Sequence, residues 1–364
     1  MKHARSGSAL LIILCFLGII GALTQQLVKT SFLTIRLLSD EIKRTKAQIL
    51  AQNGLTLAMA QLTQQLETKK NLPDSNPKVE ALEKVLSILN RWQSFPLTKD
   101  LDGMQGTIKI YVACEDGKIP LQNIIDPATK KVLKPIQELF KNLYPGTDKK
   151  PKDPTTALAA FLSKKDAPLE DVTQVLPFFD LPLAAERPNP KSKTVSQQPA
   201  LLDLFSVWNT SGKINPLFFS RSLGTTLKLK APGTATKDDK DQKELYHRIA
   251  EAVSKEWGSD WDKNWSVLTP LYGAKPQMPA ETTSLFSEAV EPALFSVVSC
   301  GIIQGVEQRL YAVIHKRKKA PQPEAQQKTS ENNQPEGSTF AKPDAVCGIM
   351  RMYWIDQFNT YEEH

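Results

Sequence analysis

SALLIILCFLGIIGALTQQLV, residues 8–28, carries no charge, follows the basic opening MKHARSG of residues 1–7, and runs on without a proline as far as Leu72. Its reading decides the fold. The charge-free stretch begins at Ser6, and its roughly 23 residues would make a helix of about 34 Å, enough to cross a hydrocarbon core of about 30 Å. Lys2 and Arg5 precede it and hold the N-terminus on the cytoplasmic side. The GALTQQ that ends it lacks the small-x-small pattern a signal peptidase needs, so the apolar run is expected to stay attached.

Downstream, LLSDEIKRTKAQILAQNGLTLAMAQLTQQLETKK, residues 37–70, is made of strong helix formers. Leu38, Ile42, Ile49, Leu57 and Leu62 recur at near-helical spacing and predict one apolar face. Pro73 stops the pattern. Residues 8–72 therefore predict one unbroken helix of about 60 residues, about 90 Å long, apolar in its first half and amphipathic in its second.

The whole chain has 364 residues and a net charge of +7, with 46 basic and 39 acidic side chains. Its lysines gather in proline-rich connectors such as TDKKPKDP, residues 147–154, and HKRKKAPQPEAQQK, residues 315–328. No basic stripe alternates with aromatics on a predicted element, which is the pattern of solvated loops and not of a nucleic-acid interface.

Residues 73–123 predict a helix in PKVEALEKVLSILNRWQSF and then a strand, because Ile108, Ile110, Val112 and Cys114 alternate with Thr107, Lys109, Tyr111 and Ala113. Asp116-Gly117 reads as the turn that ends it. Residues 124–290 predict an all-helical insertion in six segments: KPIQELFKNLY, TTALAAFLSK, PLEDVTQVLPFF, PALLDLFSVW, NPLFFSRSL and DQKELYHRIAEAVSKEW. A short phrase recurs, GKIPLQNI from Gly117 and GKINPLFF from Gly212, with Asn215-Pro216 reading as an N-cap and first helical residue. Residues 291–364 predict two strands around Gly305, a third in AVCGIMRMYW, and a disordered loop over about 316–344 between them. The fold class expected is α+β, a long N-terminal helix packed on a small antiparallel sheet with a large all-α insertion.

These features resemble the type IV pilin-like superfamily. A basic leader ending in glycine before an apolar run is similar to a prepilin peptidase site, with the cut between Gly7 and Ser8 and methylation of the new Ser8 amine. Major pilins have a glutamate at the fifth mature position, where its carboxylate pairs with a neighbour's amine in the fibre. Here that position is Ile12. The lack of the carboxylate, with the two GKI phrases and LLDLFSVWNTSGKINP running into the second, resembles the K-type minor pseudopilins of type II secretion systems, known as general secretion pathway protein K. The first phrase departs from that family at Pro120 and Gln122, the second at Leu217 and Phe218. The resemblance implies an inner-membrane protein, single-pass, with its bulk in the periplasm. Its implied partners are the prepilin peptidase, the other minor pseudopilins and the major pseudopilin. Its implied role is to cap and start the pseudopilus. The nearest rival is a minor pilin of a type IV pilus or competence system; a more distant one is a signal-anchored periplasmic enzyme or binding protein.

No catalytic set is legible. His3, His247, His315 and His364 are scattered, and neither a G-x-S-x-G nor a phosphate-binding loop occurs. Cys15 lies in the apolar run, and Cys114, Cys300 and Cys347 have no metal-ligand spacing. Cys300 and Cys347 fall on strands predicted to be neighbours, so an oxidising compartment leaves two expectations, a disulfide between them or free thiols. GSDWDKNW places Asp260, Asp262 and Asn264 as a calcium loop begins, but Trp265 replaces the required glycine and Leu271 the closing glutamate. Calcium is the one cofactor the family resemblance implies, and its ligands do not map onto this sequence. Trp257, Trp261 and Trp265 at every fourth position predict a packed helical face.

Overall fold

The computed structural model describes residues 4–64, 76–126, 128–143, 154–164, 168–184, 199–209, 211–230, 239–276, 280–318 and 345–355. Helix α1 runs unbroken over Ala4–Gln64, 61 residues. At 1.5 Å per residue it is about 90 Å long. The last part of the predicted helix, residues 65–72, lies outside the described residues.

Helix α2 (Pro77–Ile88) starts at Asn76, whose side chain accepts from the Lys78 N–H, with Pro77 in the first turn. The sequence predicts that this helix reaches Phe95, and it does not. Asn90, at φ 60°, turns the chain, and Trp92–Leu97 forms strand β1. The strand is favoured because Trp92 stacks on Tyr111 with centroids 5.4 Å apart and because Pro96 suits an edge strand but would break a helix interior. A helical turn, α3 (Lys99–Asp102), leads into β2 (Gly106–Cys114), antiparallel to β1.

Strand β3 (Ile119–Pro120) leads into the insertion, which among the described residues contains α4 (Lys134–Lys141), α5 (Pro154–Lys164), α6 (Leu201–Leu204), β4 (Phe205–Ser206), α7 (Arg221–Thr226), α8 (Asp239–Glu256) and α9 (Trp261–Tyr272). The insertion is mainly helical but not all-α, since its β4 pairs in parallel with β3 just before it. PLEDVTQVLPFF forms a 3-10 helix over Val172–Phe178, with Pro177 inside it. PALLDLFSVW is helical only over the four residues of α6 before β4 takes over.

Strands β5 (Leu294–Ile303), β6 (Val306–Lys318) and β7 (Ala345–Trp354) complete a five-stranded sheet in the order β1-β2-β5-β6-β7, antiparallel throughout. Gln304 and Gly305, at φ 47° and 87°, make the two-residue β5–β6 turn, since positive φ at both positions matches the twist of a hairpin. Strand β6 extends to Lys318, so residues 316–318 of the expected loop are strand; its remainder, 319–344, lies outside the described residues.

The sheet is the middle of three layers. Ile108 and Ser299 face α1 at Gly54. One residue out of phase, Tyr111 and Ser296 bond Asp203 and Lys118 on the side of the insertion. The alternation along each strand thus serves two partners. The fold is α+β, a long N-terminal helix packed on a five-stranded antiparallel sheet, with a mainly helical insertion.

Candidate functional site

Helix α1 has two halves with opposite surroundings. Its second half is seated on the sheet by Ala47, Leu50, Ala51, Leu55, Ala58 and Leu62, each at most 5 % exposed. The approach is close enough that a Cβ at Gly301 would overlap the Ala47 carbonyl, and one at Gly54 would sit 2.7 Å from Ile108. Gln48 donates to Gln308 (3.3 Å), Gln61 to Gln93 (3.0 Å) and the Thr63 hydroxyl to Cys347 (3.5 Å), pinning the flanks. The face expected from the sequence is therefore corrected. Of its members only Leu62 is buried and Leu57 half-buried, whereas Leu38, Ile42 and Ile49 are 59 %, 54 % and 43 % exposed. Small residues, Ala47, Ala51 and Gly54, line the closest approach of helix to strands, and Leu50, Leu55 and Leu62 fill the space beside it.

The first half has no such seat. Fifteen large apolar side chains from Ile13 to Ile42 are each 51–72 % exposed. Each forgoes on the order of 1–2 kcal/mol of burial in water. Thr24, Thr30 and Thr34 turn their hydroxyls back onto carbonyls one helical turn earlier, at 2.8–3.0 Å, as suits a polar group in apolar surroundings. By length and composition α1 is a helix able to cross a membrane. Gly7, Ser8 and Ile12 all fall in its opening turns; their side chains lie outside the described residues.

The two GKI phrases meet each other. A Cβ at Gly117 would overlap the Phe218 carbonyl, and one at Gly212, φ 65°, the Asn123 side-chain amide. Asn123 and Phe218 are each the sixth residue after the glycine of their own phrase, so the contact is reciprocal. The Asn215 N–H donates to the Asp116 carbonyl (2.6 Å) and the Ser220 N–H to that of Gly117 (3.1 Å). As the sequence predicts, Asn215 caps a short helix, Pro216–Phe218. Ile119 pairs in parallel with Phe205, and Ile214 with Phe286. Both partners are the centre of a Leu-Phe-Ser triplet, at 204–206 and 285–287; a third copy, 294–296, opens β5, so the triplet alone does not mark the pairing.

Buried polar groups fasten the insertion to the sheet. Lys118, fully buried, spends its three protons on Glu115, the Leu202 carbonyl (2.7 Å) and the Ser296 hydroxyl (2.6 Å). Tyr111 donates to Asp203 (3.0 Å), which also accepts from the Ser222 N–H (2.7 Å). Burial first, and Asp203 second, push the Tyr111 hydroxyl well above its ordinary value. Burial and then Glu115 raise the Asp116 carboxyl to about 6. The Cys114 thiol is raised by burial and then by Asp116, so it is a poor nucleophile.

All four cysteines are free. The expected Cys300–Cys347 bridge is corrected: β5 and β7 are separated by β6, where Cys300 lies opposite Arg309 and Cys347 opposite Lys316. Two strand spacings and seven residues of offset put them roughly 25 Å apart, far beyond the about 7 Å limit for a disulfide.

At the calcium-like segment, Asp260 caps α9 by accepting from the Asp262 and Lys263 N–H groups. Asp262 pairs with Lys275, and Asn264 is buried, bonding both the N–H and the carbonyl of Gly258. These residues do not fit a metal, and no group of three or more His, Cys, Asp or Glu able to hold one occurs among the described residues. Trp257, Trp261 and Trp265 pack together but not on the single helical face the spacing predicts, because α8 ends at Glu256 and α9 begins at Trp261; Trp261 and Trp265 lie against Phe286, and Trp257 edge-on to Trp261. His247 pairs with Glu83 on the surface (2.8 Å), and His315 lies opposite Leu294 in the sheet; His3 and His364 lie outside the described residues.

No protein-family model matches the chain, and no curated protein does. Among solved structures it is similar to a chain of the GspK-GspI-GspJ complex from the enterotoxigenic Escherichia coli type 2 secretion system. The identity is 13 % and the TM-score 0.40, over 88 % of this chain and 99 % of that one.

Proposed function

We propose that this chain is a minor pseudopilin of a type II secretion system, a structural subunit and not an enzyme, which caps and starts the periplasmic pseudopilus. The observation that carries the reading is α1: one rod, bare and apolar over its first half and seated on a sheet over its second. An apolar surface of that length needs lipid before assembly and the helices of neighbouring subunits after it. The prepilin peptidase cuts between Gly7 and Ser8, and the Ser8 amine is methylated. Ile12, in place of a carboxylate, leaves nothing to neutralise the amine of a subunit ahead, which suits a place at the tip. The bulk of the chain sits in the periplasm, anchored in the inner membrane, and packs with the other minor pseudopilins above the major one.

N-terminal sequencing of the protein from cells with and without the prepilin peptidase tests this. The expected product starts at a methylated Ser8 only where the peptidase is present. Gly7→Leu should leave the leader in place. A protein that begins at Met1 in both strains would end the proposal.

A further inference from the structure

Leu38, Ile42 and Ile49 do share a stripe of α1, but it is turned away from the sheet. Val28, Ile35, Ile42 and Ile49 recur every seven residues and are each 43–65 % exposed, with Leu38, equally bare, three residues after Ile35. In heptad terms the four are a positions and Leu38 a d position. Ala47 and Gly54, which meet the strands, are then f positions, the farthest from that seam. The sheet grips one side of α1 and leaves an apolar stripe about 30 Å long on the other. The β5–β6 turn only borders it, where Ile303 and Gln304 share a groove with Ile35, Leu38 and Ile42.

Lipid alone does not cover this stripe. The charge-free run ends at Val28, and Ile49 stands about 30 Å further along the same unbroken helix. A rod that crosses the bilayer cannot also lie on its surface, so the cover is another helix. Isoleucine and valine at a with leucine at d favour two strands.

The charges beside the seam select the second strand. Glu41 is a g residue and Lys46 an e residue, both exposed. In a parallel pair, the g residue of one helix meets the e residue five positions on in the other. Glu41 of each copy would therefore face Lys46 of the other, twice over. An antiparallel pair would set glutamate against glutamate and lysine against lysine. Within the apolar run Gly21 takes the a position and Gly18 stands one turn before it. An added Cβ at either meets nothing of this chain within 4 Å, and small residues let membrane helices approach closely.

We propose that two copies of this chain pair in parallel and in register through residues 28–49 of α1, as a two-stranded coiled coil with both sheets on its outer sides. Ser31 and Thr45 at d positions keep the seam weak and the pair reversible; anchorage in one membrane raises the effective concentration that holds it. On the pseudopilin reading above, this pair is the form held in the membrane before assembly, and the helices of other subunits then replace it.

Cysteine cross-linking of the full-length protein in its own membranes, in a Cys15→Ser parent, tests the seam. Ile35→Cys and Ile42→Cys should give a homodimer at least about fivefold more readily than Arg36→Cys and Lys43→Cys, one position off the seam. Glu41→Lys in the Ile42→Cys chain should cut that product on the order of fivefold, because both ion pairs become repulsive. The swap Glu41→Lys/Lys46→Glu should restore it, which a partner of different sequence would not allow. Both side chains are exposed, so folding is not at stake. Equal cross-linking at all four positions would mean random collision and overturn the seam. Cross-links only to another protein, or a swap that fails to restore the product, would overturn the choice of a second copy. None of these results touches cleavage at Gly7–Ser8, on which the pseudopilin reading stands or falls separately.

Discussion

Gly301 of β5 and Ala47 of α1 lie in direct backbone contact, with no room between strand and helix for a single methyl group. The rest of the seat is built around that approach, and its sensitivity is the first expectation. Gly301→Val should destabilise the protein by about 2–4 kcal/mol through overpacking, measured by urea unfolding. Gly348→Ala, where an added Cβ meets nothing within 4 Å, should stay within about 0.5 kcal/mol of the parent.

Lys118 and Glu115 are a buried pair whose partners cannot be replaced by water. Lys118→Met should cost about 3–5 kcal/mol by stranding the Glu115 carboxylate. The double variant Lys118→Met/Glu115→Leu should recover much of that loss in the same denaturation measurement. If the double variant were as unstable as the single one, the loss would lie in packing and not in charge.

Asp116 gives the protein a pH dependence of a definite sign. Its folded carboxyl is raised from 3.8 to about 6, chiefly by burial and then by Glu115. The folded state therefore holds the proton more tightly than the unfolded one. The associated stability is fully present below about pH 4 and is lost as the pH rises through about 6. Asp116→Asn should flatten that slope and raise stability at pH 7 by on the order of 2–3 kcal/mol. Unfolding midpoints across pH 4–8 check both the direction and the window.

Alkylation of the denatured protein should add four groups, one per cysteine, whether or not a reductant is present. A mass that changes only after reduction would contradict the strand order that places β6 between Cys300 and Cys347.

Much of this architecture was legible because its signals are local. The absence of proline across residues 8–72 announces one rod, and the alternation at residues 107–114 announces β2. The seat of the rod was not legible for a physical reason. Ala47, Ala51, Gly54 and Ala58 carry little hydrophobic weight in a pattern, while Leu38, Ile42 and Ile49 carry much and remain exposed. Strand β1 hid behind α2, since the break between them comes from Asn90 at positive φ and not from a glycine or proline. The two GKI phrases were visible as a repeat. That each glycine receives the sixth residue of the other phrase depends on chain paths that no short window contains. The distance between Cys300 and Cys347 is hidden in the same way, because β6 lies between the strands that carry them.

The sheet is gripped on one side by α1 and on the other by Lys118 and Tyr111, so among the described residues the helix and the insertion are fastened to opposite faces of one layer. A shift of the seated half of α1 would therefore carry the sheet, and the segments bonded to its far face, along with it.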